Sequence, residues 1–355
     1  MKGVPVPVIA LFNHKGGVSK TTTAFNLGWM LASKGHRTLL VDADPQCNLT
    51  GMILGFKGPS ELEALYTQHP EENLWAALAP AFQSRPSLVK GVKALQVSGR
   101  SGLFLLPGHI RVAEYEVTLG IAQELSGSIQ TLRNLPGSIR FLLDATATAA
   151  KCEFVLVDMS PGVGALNQNL LVTSDYFLVP TSPDFFSVMA VDSLAEVLPR
   201  WQFWAKRAFE LEVLRTANYP FPAPHSRFLG TVVQKYRPRR GEPASAFRSW
   251  IVQLSDKVTN RLVPDLETAG MMLPRSTYVD AGVGPDFALA SIADFNSLIA
   301  KSQKWRTPIY ALSDEQIGQR GTVLAQTARS RDAFAEQFSA LADMVVKLTH
   351  AIGRN

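Results

Sequence analysis

Short apolar runs alternate with longer helical patterns along the 355 residues of the chain. An unbroken apolar run of about four to eight residues is typical of a strand buried on both faces of a parallel sheet. Strands of this kind are predicted at residues 8–12, 38–42, 103–106, 154–158, 176–180 and 228–233. Because helical patterns separate them, the predicted fold class is α/β, a doubly wound and mostly parallel sheet with helices on both faces.

Three longer helical patterns lie between and after these strands, at residues 21–34, 113–150 and 322–352. The first ends at Gly35, a residue well suited to close a helix. The second is expected to break at Pro136 and Gly137. The last could lie on a membrane surface, but packing on the sheet is favoured because its basic face is thin.

Several connections carry helical patterns of their own. Residues 51–102 contain short helical patterns broken by prolines. They predict a helical insert that covers the ligand-binding edge of the sheet. Residues 193–226 and 237–288 exceed what the core fold needs, and long connections of this kind often bind a partner. We interpret all three as helical inserts in a single domain of residues 1–355, and residues 305–310 as the end of an edge of the sheet.

A loop rich in glycine and lysine joins the first predicted strand to the first helix. Glycines let backbone N–H groups turn inward towards phosphate oxygens, and the following helix adds the partly positive charge of its N-terminus. Lys20 adds a full positive charge, and Thr21 adds a hydroxyl that can bind Mg²⁺. A plain glycine-rich turn with surface lysines is disfavoured because this Lys-Thr pair stands at the start of the helix. The predicted nucleotide-binding residues are Gly16, Gly17, Val18, Ser19, Lys20, Thr21 and Thr22.

Two further strands end in carboxylates. Asp42 and Asp44 close the second strand, and side chains two residues apart on a strand can point the same way. Asp158 closes the fourth strand, before a Pro-Gly turn. Ligands bind at this edge of an α/β sheet, where Mg²⁺ and an attacking water both need carboxylate oxygens. Acidic residues in solvated turns are the alternative, which the phosphate loop upstream disfavours.

Composition narrows the class of protein further. A hydrophobic content of 46% and a charged content of 18% indicate a folded core rather than a disordered chain. The net charge of +5 is compatible with an acidic partner such as nucleic acid but does not require one. Two cysteines are too few for a disulfide framework, and we expect a cytoplasmic protein. Neither a signal peptide nor an apolar run of roughly 20 residues is recognised, so no stable membrane insertion is expected.

The densest basic cluster, residues 235–240, follows a strand directly. Its arginines could bind the phosphates of DNA, with an affinity that falls steeply as salt rises. A solvated charged surface remains an equally open interpretation. The aromatic and basic stretch at residues 201–209 could stack on bases, but core packing is favoured because aromatic residues at helical spacing usually face inward. The candidate DNA-binding residues are Arg237, Arg239 and Arg240.

Taken together, these motifs resemble those of the ParA/MinD family of deviant Walker ATPases. Residues 15–22, 42–46 and 155–161 carry the resemblance, with weaker similarities at residues 105–107, 184–188 and 307–309. The resemblance implies ATP and Mg²⁺ as cofactors and a homodimer that forms on ATP binding. It also implies slow hydrolysis stimulated by a ParB-like or other protein partner, and a cargo positioned or segregated by a dimer that binds non-specific DNA.

The resemblance further implies a role for each residue of the site. Lys15 would be the signature lysine, which reaches across the dimer and stabilises charge on the partner's transferring phosphoryl group. Lys20 would bind the phosphates of its own subunit, and Asp44 would position or deprotonate the attacking water. The residues implied to hold Mg²⁺, directly or through its waters, are Thr21, Asp42 and Asp158.

Two positions complete the comparison with the family. Gln234, by its place after a strand, is similar to the residue that contacts the adenine. Ser19 departs from the family, whose members usually have glycine before the loop lysine, and its Cβ is expected to restrict the backbone. We therefore expect ATP binding to survive and hydrolysis to be slow.

Two other functions are alternatives to DNA partition. A ParA-like ATPase could dock a protein partner in a defence or localisation system without binding DNA, and this alternative stays open. A redox function with a shared Fe–S cluster is disfavoured, because such a cluster wants four cysteine ligands and Cys47 and Cys152 flank different strands.

Overall fold

The computed structural model describes residues 6–56, 58–125, 130–236, 238–239, 242–243, 245–295 and 297–350. The strands among these residues are β1 (Val8–Leu11), β2 (Thr38–Asp42), β3 (Leu95–Gln96), β4 (Leu103–Leu106), β5 (Phe154–Asp158), β6 (Tyr176–Thr181), β7 (Arg227–Tyr236), β8 (Pro238–Arg239), β9 (Glu242–Pro243) and β10 (Ala288–Ala293).

Eight of these strands form one sheet in the order β10-β7-β6-β1-β5-β2-β4-β3, and β8 pairs with β9 in a small hairpin. Neighbouring strands of the sheet run parallel except β3 and β4, which are antiparallel. Every residue of β1, β2 and β5 is buried. Because successive side chains point to opposite faces of a strand, both faces of the sheet are covered. The predicted α/β fold with a mostly parallel sheet is confirmed.

Helices account for most of the remaining described residues. They are α1 (Lys20–Ser33), α2 (Asn48–Leu54), α3 (Pro59–Gln68), α4 (Leu74–Phe82), α5 (Glu114–Glu124), α6 (Leu135–Ala149), α7 (Ala165–Thr173), α8 (Phe185–Glu210), α9 (Glu212–Arg215), α10 (Ser245–Lys257), α11 (Val263–Ala269), α12 (Arg275–Ala281), α13 (Leu298–Trp305), α14 (Asp314–Ile317) and α15 (Gly321–His350). A π-helical turn, Val258–Leu262, joins α10 to α11.

The register of the central strands brings the predicted site residues to one edge. Asp42 at the end of β2 lies opposite Asp158 at the end of β5, and Asp158 lies opposite Leu11 at the end of β1. The loop that leaves β1 therefore starts beside Asp158, with Asp42 one strand further along the same edge. Open α/β sheets bind their ligands at this carboxyl edge of the strands.

The edge of the sheet beyond β7 differs from the prediction. β10 forms that edge, whereas Trp305 ends α13 and Ile309–Ala311 form a 3₁₀ turn. The prediction for residues 305–310 was therefore wrong. β10 is made largely of small, partly exposed residues, so it lacks the apolar run that marks a buried strand.

The helical pattern at residues 113–150 breaks at a different position from the predicted one. The pattern divides into α5 and α6, which begins at Leu135. Pro136 thus lies in the first turn of α6, where the missing N–H removes no intrahelical hydrogen bond. The break precedes Pro136 instead of falling on it.

Helices α2, α3 and α4 occupy much of residues 51–102, and α10 to α12 lie within residues 237–288. The C-terminal helix α15 contacts α1 and β10, so it packs against the body of the protein. No helix among the described residues is long and apolar enough to cross a membrane. The buried residues of α15 are Phe334, Phe338, Leu341, Ala342, Val345, Leu348 and Thr349.

Candidate nucleotide-binding site

The loop between β1 and α1 folds back on itself through two residues with left-handed backbone angles. Gly17 has a φ of 75°, which glycine adopts without strain. Ser19 has φ 63° and ψ 31°, and it caps α1 without a hydrogen bond from its side chain. For a residue with a Cβ this conformation costs roughly 1–2 kcal/mol. The backbone thus keeps the turn that glycine favours, and Ser19 is strained there.

Lys20 lies inside the concave face of this loop. Its side chain is buried, and its Nζ donates to the backbone oxygens of Asn13, at 2.8 Å, and Lys15, at 3.3 Å. Burial lowers the pKa of the Lys20 amine. Among the described residues its hydrogen bonds are to carbonyl oxygens, with the charges of Asp158 and Asp44 nearby, and phosphate offers stronger acceptors than neutral carbonyls.

Asn13 fixes the start of the loop, a role that the sequence analysis missed. Its side-chain amide donates to the backbone oxygen of Pro180 at 2.9 Å, and its Oδ1 accepts from the backbone N–H of Lys15 at 2.9 Å. Both bonds are formed by a fully buried side chain. Asn13 therefore ties the loop to the end of β6.

Lys15 points away from the concave face and is bound by the start of α8. Its Nζ lies 2.6 Å from each carboxylate oxygen of Asp184 and 2.9 Å from Ser187 Oγ. Asp184 is also the N-cap of α8, because its Oδ1 accepts from the backbone N–H of Ser187. The two loop lysines thus have separate environments, one inside the loop and one against α8.

Asp42 is held by hydrogen bonds at the end of β2. Its Oδ2 accepts from the backbone N–H and from Oγ1 of Thr50, at 2.7 and 2.6 Å, and its Oδ1 accepts from the backbone N–H of Asp44 at 3.3 Å. Burial raises the pKa of Asp42 to about 7. Asp44 is also buried, and its Oδ1 accepts from the backbone N–H of Gln46 at 2.9 Å.

Asp158 has weaker support. Among the described residues, neither of its buried carboxylate oxygens has a hydrogen-bond partner in ordinary geometry, and the Thr21 side chain only partly opposes the rise in its pKa. Burial, and then the neighbouring Asp42, raise its pKa well above the ordinary value. Buried polar atoms without partners are rare, and they commonly mark a place where an ion or ordered water belongs.

The residues at this edge of the sheet are suited to hold a magnesium ion that is bound together with phosphates. No group of three or more His, Cys, Asp or Glu side chains that could hold a metal occurs in the described chain. Mg²⁺ at phosphate sites commonly takes one or two protein ligands and completes its shell with water and phosphate oxygens. Thr21 in the first turn of α1 and the unsatisfied carboxylate of Asp158 meet that requirement.

Gln234 lies elsewhere than predicted. It belongs to the interior of β7 rather than to the segment after the strand, it is 1% exposed, and its amide donates to Thr23 Oγ1. Its amide is engaged with α1 in this structure, and a contact between Gln234 and adenine stays a prediction. The next residue, Lys235, is exposed, and its Nζ donates to the backbone oxygen of Gly17 at 2.6 Å.

The predicted DNA-binding cluster is largely outside the described residues. Arg237 and Arg240 are not among them, and Arg239 is described only by its backbone, in β8. The aromatic stretch at residues 201–209 is described in full. Trp201 is buried with its ring centroid 5.4 Å from that of Phe12, which supports core packing, whereas Phe203 is 63% exposed.

A phosphate loop after a central strand of a parallel sheet, with buried aspartates at the ends of the next two strands on one side, β5 and β2, defines a P-loop nucleoside triphosphatase. Residues 6–210, more than half of the chain, match a family model described as an AAA domain, AAA_31. The chain therefore belongs to this family, as a P-loop ATPase of the ParA/MinD type. The predicted family resemblance is confirmed.

Comparison with known proteins identifies relatives in sequence and in fold. The chain is 26% identical over 275 residues to the uncharacterized protein MJECL24 of Methanocaldococcus jannaschii, covering 77% of this chain and 86% of that protein. It is 32% identical over 201 residues to the chromosome partitioning protein ParA of Caulobacter vibrioides, covering 56% of this chain and 65% of ParA. Among solved structures, it is similar in fold to pNOB8 ParA bound to nonspecific DNA, with a TM-score of 0.53, 18% identity and coverage of 98% and 99%.

Proposed function

We propose that this protein is an ATP-dependent dimerising switch of the ParA type, which positions or segregates DNA or another cargo. One observation carries the proposal: the loop holds a second lysine, Lys15, outside the concave face where Lys20 lies. A single ammonium inside the loop is sufficient for the phosphates of its own subunit. Lys15 is therefore available for the nucleotide of a second subunit.

Hydrolysis is assigned to residues around Lys20. Lys20 binds the phosphates, and Thr21 with the carboxylates of Asp42 and Asp158 holds the metal ion or its waters. Bound Mg²⁺ would neutralise negative charge on the phosphates. Asp44 accepts a hydrogen bond from the attacking water and orients it. The strain at Ser19 is the basis for proposing slow turnover, because precise placement of the phosphates controls the rate.

Dimerisation is assigned to Lys15. In this proposal Lys15 leaves Asp184 and binds the phosphates of the partner subunit's nucleotide, which stabilises the charge that develops during transfer. A cation supplied in trans also makes the dimer depend on bound ATP. Asp184 then retains its capping bond to Ser187, which does not involve Lys15.

Non-specific DNA is proposed as the surface on which the ATP-bound dimer acts, through Arg237, Arg239 and Arg240. The support is the basic cluster in the sequence and the DNA complex of pNOB8 ParA. A second candidate, docking of a protein partner without DNA, is favoured by exposed apolar residues beside Lys15. Phe185, Phe186 and Met189 are 52%, 69% and 55% exposed, and such patches commonly mark protein contacts.

Dimerisation is tested by light scattering with ATP, with ADP and without nucleotide. We expect a dimer only with ATP, and we expect Lys15→Ala to remain monomeric while it still binds ATP. Lys34→Ala is the matched control, since Lys34 pairs with Asp343 at the surface, 2.9 Å away. A Lys15→Ala protein that dimerises like the unchanged protein would refute the role assigned to Lys15.

DNA binding is tested by titrating random-sequence duplex DNA at several salt concentrations. The partition function predicts binding with ATP only, with an affinity that falls as salt rises. It also predicts a weaker salt dependence in the Arg239→Glu, Arg240→Glu double variant. ATP-dependent dimers that bind no DNA would support the second candidate in place of the first.

A further inference from the structure

Thr50, in α2, is a buried residue with no role assigned above. Its backbone N–H and its hydroxyl both donate to one oxygen of Asp42, Oδ2. Its hydroxyl oxygen in turn accepts from the backbone N–H of Gly108 at 3.0 Å. Because that N–H occupies an acceptor position of the hydroxyl, the hydroxyl proton is left for Asp42.

Gly108 approaches the same carboxylate from the loop after β4. A Cβ placed on Gly108 would lie 3.0 Å from Cγ and 3.2 Å from Oδ2 of Asp42, closer than side-chain carbons normally approach. A side chain at position 108 would press on Asp42, and glycine lets the loop approach Thr50 without that contact. Besides its own strand and the paired strand β5, α2 and the loop after β4 contact Asp42.

The two oxygens of Asp42 have unequal support. Oδ2 accepts two bonds shorter than 2.8 Å, whereas Oδ1 has one contact at 3.3 Å, from the backbone N–H of Asp44. The strong bonds fix the plane of the carboxylate, and the weak one leaves Oδ1 with acceptor capacity. A threonine that served packing alone would not need to direct both of its donors at one oxygen.

We propose that Thr50 is a positioning residue for the magnesium site. It holds Asp42 through Oδ2 so that Oδ1 faces the water shell of the metal. The inference rests on the proposed role of Asp42 toward Mg²⁺. It adds a residue outside the recognised motifs and makes α2, the first helix of the insert at residues 51–102, part of the support for the metal.

The test measures metal binding directly. Mn²⁺ replaces Mg²⁺, a non-hydrolysable ATP analogue replaces ATP, and the free Mn²⁺ signal is followed by electron paramagnetic resonance. Residues that orient metal ligands typically change metal affinity by about 10–100-fold when they are removed. We expect Thr50→Val to weaken Mn²⁺ binding by at least about tenfold and Thr50→Ser, which retains the hydroxyl, to bind within about threefold of the unchanged protein.

The control is Thr173→Val, which removes a buried threonine hydroxyl bonded to a backbone oxygen, that of Asn169, at the end of α7. It should leave Mn²⁺ affinity unchanged. If Thr50→Val does not fold, Thr50→Ala is measured in its place and should show the same loss.

Two results would overturn the inference in distinguishable ways. If Asp42→Asn weakens Mn²⁺ binding but Thr50→Val and Thr50→Ala do not, Thr50 has no positioning role and the metal site still stands. If the unchanged protein binds no Mn²⁺ with the nucleotide analogue, the metal assignment and the inference fail together.

Discussion

At the scale of single residues, Ser19 is the position where sequence and conformation conflict. Its backbone is left-handed, and its side chain makes no capping bond that would compensate for the strain. Neighbouring hydrogen bonds hold the turn in this conformation. Lys20 Nζ donates to the backbone oxygen of Asn13, and Thr23 Oγ1 donates to the backbone oxygen of Ser19. Strain held in this way is common at ligand-binding loops.

Replacing Ser19 by glycine should therefore stabilise the protein. We expect Ser19→Gly to raise the free energy of unfolding by about 0.5–1 kcal/mol, since relief of strain exceeds the extra chain entropy that glycine loses on folding. Urea denaturation measures the change. Ser33→Gly, in the last turn of the same helix, should instead destabilise by roughly 0.5 kcal/mol. A Ser19→Gly protein that is less stable than the parent would contradict this account.

The motif residues could be predicted because each carries its chemistry in the local sequence. Asp42 and Asp158 close apolar strands that pair in the sheet, and Lys20 begins the helix after the glycine-rich loop. Asp184 and Thr50 could not be predicted in the same way, because their partners, Lys15 and Asp42, are found only once the chain has folded. Neither an aspartate before a helix nor a threonine inside one identifies the side chain that it contacts.

At the scale of elements, α8 shows why an aromatic stretch is ambiguous in a sequence. Trp201 and Phe203 lie two residues apart, which turns them to different sides of a helix. Trp201 packs on Phe12 in the core, whereas Phe203 is exposed with the Arg207 guanidinium 5.9 Å from its ring centroid. One stretch therefore serves the core and the surface at once.

This contrast can be measured by truncating each ring. Trp201→Ala should lower the free energy of unfolding by about 3–5 kcal/mol, because it leaves a cavity beside β1. Phe203→Ala should change it by no more than about 0.5 kcal/mol. Chemical denaturation of both variants decides the matter, and equal effects would mean that the two side chains are not differently buried.

Strands were predictable where they are central and unpredictable where they form an edge. β1, β2 and β5 are buried on both faces, so their sequences are continuously apolar. β10 and β3 form the two edges, the first from small residues and the second from two residues only. A strand has a continuous apolar run when both of its faces are buried. This condition does not hold for β10 or β3.

At the scale of the whole molecule, a charged cluster near the amino ends of the strands joins distant parts of the chain. Asp175 lies 3.0 Å from Arg140 Nη2 and 2.8 Å from His225 Nε2, and it accepts from the backbone N–H of Val8 at 2.8 Å. The bond to Asp175 raises the pKa of His225. Although burial opposes it, bonding to His225 and Arg140 lowers the pKa of Asp175.

Stability should therefore depend on pH through His225. Its contribution is fully present below its unfolded pKa near 6.5 and is lost as pH rises through its higher folded pKa. His225→Gln should destabilise by less than about 1 kcal/mol at acidic pH, because the ring is half exposed, and should have no effect well above the folded pKa. Urea denaturation at about pH 5.5 and about pH 8.5 compares the two proteins.

At acidic pH, the stability that this cluster contributes depends on the ionisation of Asp175. Its contribution is present above its unfolded pKa near 3.8 and is lost as pH falls through its lower folded value.

For His225, the difference in free energy of unfolding between the parent and His225→Gln should shrink as pH rises. A difference that grows with rising pH would contradict the sign assigned to His225.

The contact of Lys15 with Asp184 and Ser187 has a consequence for how sharply the protein responds to ATP. One ammonium cannot neutralise Asp184 and a phosphate of another subunit at the same time. In the proposed twofold dimer, in which each Lys15 would cross to the partner's nucleotide, both protomers would give up this contact together. A change in the strength of the contact would thus enter the association equilibrium of the proposed dimer twice, so small differences at Asp184 would produce large differences in the concentration at which it assembles.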